Sequence, residues 1–127
     1  MSRVSAAVGR FGEQRAAEYL IGLGWEVLDR NWRVGGSGGD RPAAGELDVV
    51  ARDGRSIVFI EVKTRSGRGF GTPAESVTKD KVARLRRLAV RWLEAHPEHT
   101  PAPIRFDVVS VFRSRDGVEI AHLRAAF

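Results

Sequence analysis

Two short segments carry side chains whose types and spacing could do chemistry. Glu46 and Asp48 stand at i and i+2, as do Glu61 and Lys63, and residues two apart on a strand project from the same face. Between the two pairs lies Asp53-Gly54, a turn signal that closes hairpins. If the flanking strands pair so that Val49, Val58, Ile60 and Val62 are buried on one face, Asp48, Glu61 and Lys63 gather on the other. Clustered carboxylates are costly, because like charges repel in a low dielectric and each loses hydration, unless a divalent cation neutralises them. Mg²⁺ or Mn²⁺ suits such an oxygen set at about 2.0–2.2 Å, and its retained water can attack a phosphodiester. An amine beside that water stabilises developing negative charge and, unlike a guanidinium, can exchange a proton. The plainer alternatives are an ordinary Glu61–Lys63 ion pair on a solvated sheet edge, or acids paired with Arg65 and Arg68.

The elements that must position these groups follow from the pattern around them. Ser2 or Ser5 can cap a helix running to Leu23, with Gly24 as its stop. Gly9, Gly12, Ala16, Ala17, Leu20 and Leu23 share one face of it, and Glu13 falls within that face. Small residues there predict close packing against a sheet, with a carboxylate aimed inward. Residues 25–32 read as a strand with Trp25, Val27 and Asp29 on one side, and 46–52 and 56–64 as two more. Ile57-Val58-Phe59-Ile60 is apolar on both faces, which marks a central strand covered from both sides. Thr78 caps a second helix whose apolar face is Val82, Leu85, Leu88, Ala89, Trp92 and Leu93. Strands at 105–112 and 118–123 close the chain around Asp116-Gly117. The order is α-β-β-β-α-β-β, an α/β fold with a central mixed sheet flanked by two main helices. Two Gly-rich stretches, about 34–45 and 66–75, are expected to be mobile loops.

Composition sets the outer limits. The chain has 127 residues, the length of one domain, with 43% hydrophobic and 29% charged residues, in the globular range. It has no Cys, which excludes disulfides, thiolate zinc sites and cysteine nucleophiles. No apolar run reaches membrane-spanning length and no signal-peptide stretch opens the chain, so no membrane partner and a cytoplasmic location are expected. The net charge of +5 favours a polyanionic partner, with nucleic acid leading. Of the 21 cationic residues only Lys63, Lys79 and Lys81 are lysines, so a lysine opposite two acids stands out.

With these residues in view, the chain resembles the YraN-like family of small bacterial proteins. The resemblance is carried by Gly45-Glu46-Leu47-Asp48, Phe59-Ile60-Glu61-Val62-Lys63-Thr64-Arg65, Val77-Thr78 with Lys81, Arg105-Phe106-Asp107-Val108-Val109 and Ala126-Phe127. Gly12-Glu13, Ala16-Ala17, Tyr19-Leu20 and Arg30-Asn31-Trp32-Arg33 extend it over nearly the whole chain. The resemblance implies a single restriction-endonuclease-like domain over residues 1–127, with the PD-(D/E)xK motif and kinship to archaeal Holliday-junction resolvases. It implies that Asp48 and Glu61 bind the metal, that the Val62 carbonyl adds a ligand, that Lys63 is the motif lysine, and that Glu13 is the acid resolvase-like members place on the first helix. The proline expected before the aspartate is absent, with Leu47 in its place, so Glu46 is either a further ligand or a neighbour. Resolvase-like relatives act as symmetric dimers, which raises a homodimer as an expectation.

Two functions are therefore expected of this sequence. The first is a Mg²⁺-dependent endonuclease acting on DNA, branched or structured DNA by resemblance, with Asp48, Glu61 and Lys63 catalytic. The second is a catalytically inactive module that binds nucleic acid or a DNA-processing partner. Arg65, Arg68, Lys81, Arg84 and Arg87 are the candidate phosphate contacts, Lys81 because helix N-termini favour phosphate and Arg84, Arg87 and Arg91 as a helical stripe that equally suits a solvated face. His96 and His99 read as surface residues, His122 as structural, Asp107 as a hydrogen-bonded sheet residue, and Trp25, Trp32 and Trp92 as core.

Overall fold

The computed structural model of the protein describes residues 3–35, 45–66 and 77–127. The two Gly-rich stretches fall largely outside these residues, and so does Arg68. Helix α1 (Arg3–Gly22) leads into β1 (Glu26–Trp32), β2 (Leu47–Asp53) and β3 (Ser56–Ser66), then α2 (Lys79–Ala95), a 3₁₀ turn (Pro97–His99), β4 (Ile104–Ser114) and β5 (Gly117–Leu123). Among the described residues the strands form one five-stranded sheet in the order β1-β2-β3-β4-β5. All neighbours are antiparallel except β3 and β4, which are parallel and joined through α2. This is the expected mixed α/β architecture, with β3 at its centre.

Each helix covers one face of the sheet. Ala16 and Leu20 of α1 pack with Trp25, Val49, Ala51, Val58, Ile60, Val109 and Val111. Leu85, Leu88, Ala89 and Trp92 of α2 pack with Leu47, Val50, Ile57, Phe59 and Phe106 on the other side. Alternate residues of β2 and β3 thus enter two different cores, which is why Val49-Val50-Ala51 and Ile57-Val58-Phe59-Ile60 are continuous apolar runs. Gly12 lets α1 lie directly on β3, since a Cβ there would overlap the Thr64 side chain. The stripe is shorter than its sequence pattern, because the helix stops at Gly22 and Leu23 is exposed.

Two local departures change which groups meet. The hairpin turns on Gly54-Arg55 rather than Asp53-Gly54, because Asp53 still pairs with Ser56 and Gly54 takes φ +59. In β1 a bulge between Val27 and Asp29 places Val27 opposite Ala51 and Asp29 opposite Val50. One extra residue reverses the alternation, so Asp29 faces α2, where it accepts a hydrogen bond from Trp92 Nε1 at 3.1 Å. His96 and His99 are not plain surface residues either. Both rings stack on Trp92, at centroid distances of 4.1 and 5.6 Å, and His96 caps the end of α2.

Asp107 behaves as its sequence context suggests. It is fully buried and accepts hydrogen bonds from Arg105 at 2.9 Å and from the Ala125 amide at 3.0 Å, with His122 Nε2 at 2.8 Å. His122 continues through Nδ1 to the Tyr19 hydroxyl at 2.9 Å, tying α1 to β4 and β5. Among the described residues no helix is long and apolar enough to cross a membrane.

Candidate active site

The sequence-predicted acids lie where β2 and β3 part. Their ladder begins with Val49 opposite Ile60. One residue earlier, Asp48 Oδ2 accepts the Val62 amide hydrogen at 2.9 Å, so a carboxylate replaces the backbone acceptor that a continuing β2 would supply. A strand residue directs its amide and carbonyl toward the same side, so the Val62 carbonyl is on the side from which Asp48 approaches. Leu47 remains paired with Trp32 of β1, and the separation of β2 from β3 leaves a notch in the sheet.

Side chains from both layers converge on that notch. Glu13 of α1, Glu46 just before β2, and Asp48 have carboxylate oxygens within 4.8 Å of one another. Oxygens bound to one ion at about 2.1 Å lie up to about 4.2 Å apart, so small side-chain rotations bring this set to bonding distance. Asp48 also has Glu61 as a charged neighbour, and two carboxylates this close favour holding a proton or a cation between them. Burial, then the charge of Glu61, pushes the Asp48 carboxyl up to about 8, although the Val62 hydrogen bond opposes the shift. Burial, then Glu46, likewise raises Glu13, while the neighbouring Asn31 side chain and Arg30 oppose the shift. An all-oxygen cluster held this far from free ionisation is chemically suited to Mg²⁺ or Mn²⁺.

The cations occupy the α2 side. Glu61, 8% exposed, forms an ion pair with Lys81, itself 16% exposed, in the first turn of α2. Lys63 lies beside Lys81, and that neighbouring amine, then burial, lowers the Lys63 amine below its ordinary value while Glu61 works the other way. Glu46 is paired with Arg33 at 2.9 Å. The acids' ion pairs are thus with Lys81 and Arg33, beside the Glu61–Lys63 attraction expected from spacing. Asp48 therefore has Glu13 and Glu46 on one side and Glu61 on the other, and Lys63 lies within the field of Glu61.

The candidate phosphate contacts separate in the structure. Lys81 belongs to the acid site rather than to an outer surface. Arg84 is half-buried, passes within 3.1 Å of where a Gly45 Cβ would stand, and has a buried Nε with no hydrogen-bond partner among the described residues. Arg87 and Arg91 are exposed, and Arg65 is half-buried two positions beyond Lys63. Sequence reasoning missed Asn31 and Arg33, which hold Glu13 and Glu46. Their signal was present: Asn is disfavoured in strands, and Asn31 takes the left-handed conformation at φ 52 that Asn tolerates better than most residues.

The family model described as "Uncharacterised protein family UPF0102" matches residues 12–111, a span that includes Glu13, Glu46, Asp48, Glu61, Lys63 and Lys81. The chain belongs to the UPF0102 family. This is the YraN-like family its motifs resemble. A UPF0102 protein of Parafrankia sp. (strain EAN1pec) is 53% identical over 126 residues, which cover 98% of this chain and 99% of that protein. A UPF0102 protein of Beutenbergia cavernae is 50% identical over 123 residues, with 96% and 97% covered. One of Mycolicibacterium vanbaalenii is 51% identical over 120 residues, with 94% and 92% covered.

Proposed function

We propose that this UPF0102 protein is a metal-dependent nuclease that hydrolyses phosphodiesters in DNA, with branched or structured DNA as the expected substrate. The observation that carries the reading is the convergence, at the β2–β3 notch, of Asp48 with Glu61, Glu13 and Glu46 beside the Lys63 amine. Asp48, Glu61 and the Val62 carbonyl would hold Mg²⁺ or Mn²⁺, with Glu46 and Glu13 as further ligands or as partners of its bound water. The ion would supply Lewis-acid stabilisation of charge on the phosphoryl group and a more acidic water.

The chain's own residues supply the rest. The Val62 amide fixes one Asp48 oxygen, so the carboxylate is oriented before any ligand arrives. Lys63, whose amine is lowered by the neighbouring Lys81 and by burial, gives up its proton more readily than an ordinary lysine and, when charged, would stabilise the developing phosphorane. The net charge of +5 draws the polyanion toward the molecule.

Cleavage of junction, flap and single-stranded DNA with Mg²⁺ or Mn²⁺ tests this. Asp48→Ala and Lys63→Ala should each lower the rate by about 10²-fold or more; activity that survives both substitutions overturns the assignment. The Lys81–Glu61 pair, which neutralises one acid without a metal, favours a second reading as a nonenzymatic DNA-binding module. Salt-sensitive binding that ignores both EDTA and Asp48→Ala, without cleavage, would select it.

A further inference from the structure

Lys81 has no part in the chemistry just described, yet it makes the direct ion pair with Glu61. Its placement is fixed from two sides. The Thr78 hydroxyl accepts the Lys81 amide hydrogen at 3.2 Å and caps α2 there, while the side chain, 16% exposed, reaches back onto β3. At its tip the Lys81 amine pairs with the Glu61 carboxylate, and the Lys63 amine lies beside Lys81 within the field of the same carboxylate. An uncompensated pair of neighbouring ammonium groups is unfavourable unless an anion lies between or beside them. Here that anion is Glu61, the same carboxylate that a metal would claim.

Resting on the reading of Asp48 and Glu61 as metal ligands, we propose that Lys81 is a placeholder cation: it occupies Glu61 in the metal-free protein and, when a divalent ion takes Glu61, is released to hold the substrate phosphate together with Lys63. Metal entry would then create the phosphate site. Once Lys81 has lost its carboxylate, it and Lys63 form a cationic pair, whose complement is the doubly oxygenated face of a phosphodiester. The acidic notch and this pair adjoin, so ion and phosphate would bind as neighbours. Loading of DNA into the site is thereby made dependent on prior loading of metal.

Calorimetric titration of Mn²⁺ into the full chain, and fluorescence anisotropy of a labelled DNA junction with and without non-catalytic Ca²⁺, test this directly. Lys81→Met should bind Mn²⁺ about 3- to 10-fold more tightly than the unsubstituted protein, because a partly buried ion pair no longer has to be broken. It should also lose the Ca²⁺-promoted gain in DNA affinity. Lys63→Met, which removes the neighbouring amine but not that ion pair, is the control for a simple field effect, and Lys81→Gln guards against a defect particular to Met. Unchanged or weaker Mn²⁺ binding in the Lys81 variants, an equal gain in Lys63→Met, or a retained Ca²⁺ effect on DNA would each overturn the placeholder role while leaving the metal site standing. No Mn²⁺ binding by the unsubstituted protein would remove both proposals together.

Discussion

Asp48 and Asp107 are both carboxylates on strands of one sheet, and their surroundings drive them in opposite directions. Asp48 is raised to about 8 by burial and by Glu61. Burial would raise Asp107 too, but hydrogen bonds from His122, Arg105 and Ala125 outweigh it and hold that group below its ordinary value. Unfolded Asp48 loses its proton near pH 4 and folded Asp48 keeps it to about 8, so the folded state binds more protons in between. The metal-free protein should therefore lose thermal stability as pH rises from about 4 to 8. Melting curves of Asp48→Asn should show a flatter dependence over that window, and added Mn²⁺ should restore the unsubstituted protein at its upper end. For Asp107 the sign reverses: its stabilisation is present above the ordinary carboxylate range and is lost as pH falls below it. Asp107→Asn should cost about 3–5 kcal/mol in urea unfolding, because it breaks a buried charge network without removing its cationic members. Residue types flagged the first site, where two acids and a lysine sit at strand spacing. They did not distinguish its ion pairs, which depend on where Arg33 and Lys81 arrive.

Elements decide that arrival. The glycine and alanine face of α1 was legible as a close-packing surface, and Gly12 against Thr64 is where the helix lies tightly on β3. The next residue, Glu13, is carried by that contact into the notch. Gly12→Ala should destabilise the fold by about 1–3 kcal/mol through overpacking and weaken Mn²⁺ binding by drawing Glu13 away. Thr64→Ala in the same chain should recover part of both losses, since it removes the nearest of the colliding atoms. Stability against denaturant and metal titration of the single and double variants check this. The bulge in β1 was not legible, because nothing in Val27-Leu28-Asp29 announces an extra residue. Its effect is large all the same, since it turns Asp29 from the face of Val27 to the face of Trp92.

At the scale of the molecule, Glu13, Glu46, Asp48 and Glu61 meet at the notch, Lys63 and Lys81 line its α2 side, and Arg87 and Arg91 stand exposed further along the same helix. Removing one phosphate-neutralising cation should reduce the steepness of log affinity against log salt by about 0.9. Arg87→Ala should show that change in DNA binding with Mn²⁺ affinity unaltered; an unchanged slope would remove Arg87 from the interface. The order of elements and the two-sided burial of β3 were written in the chain, because strand parity and turn signals act over a few residues. Three-dimensional packing alone settled that Glu13 and Lys81 reach this cluster from helices on opposite sides of the sheet, and that Asn31 and Arg33 brace it. Those meetings depend on where β2 leaves β3 and how closely each helix approaches, distances that long-range packing sets and residue spacing does not encode.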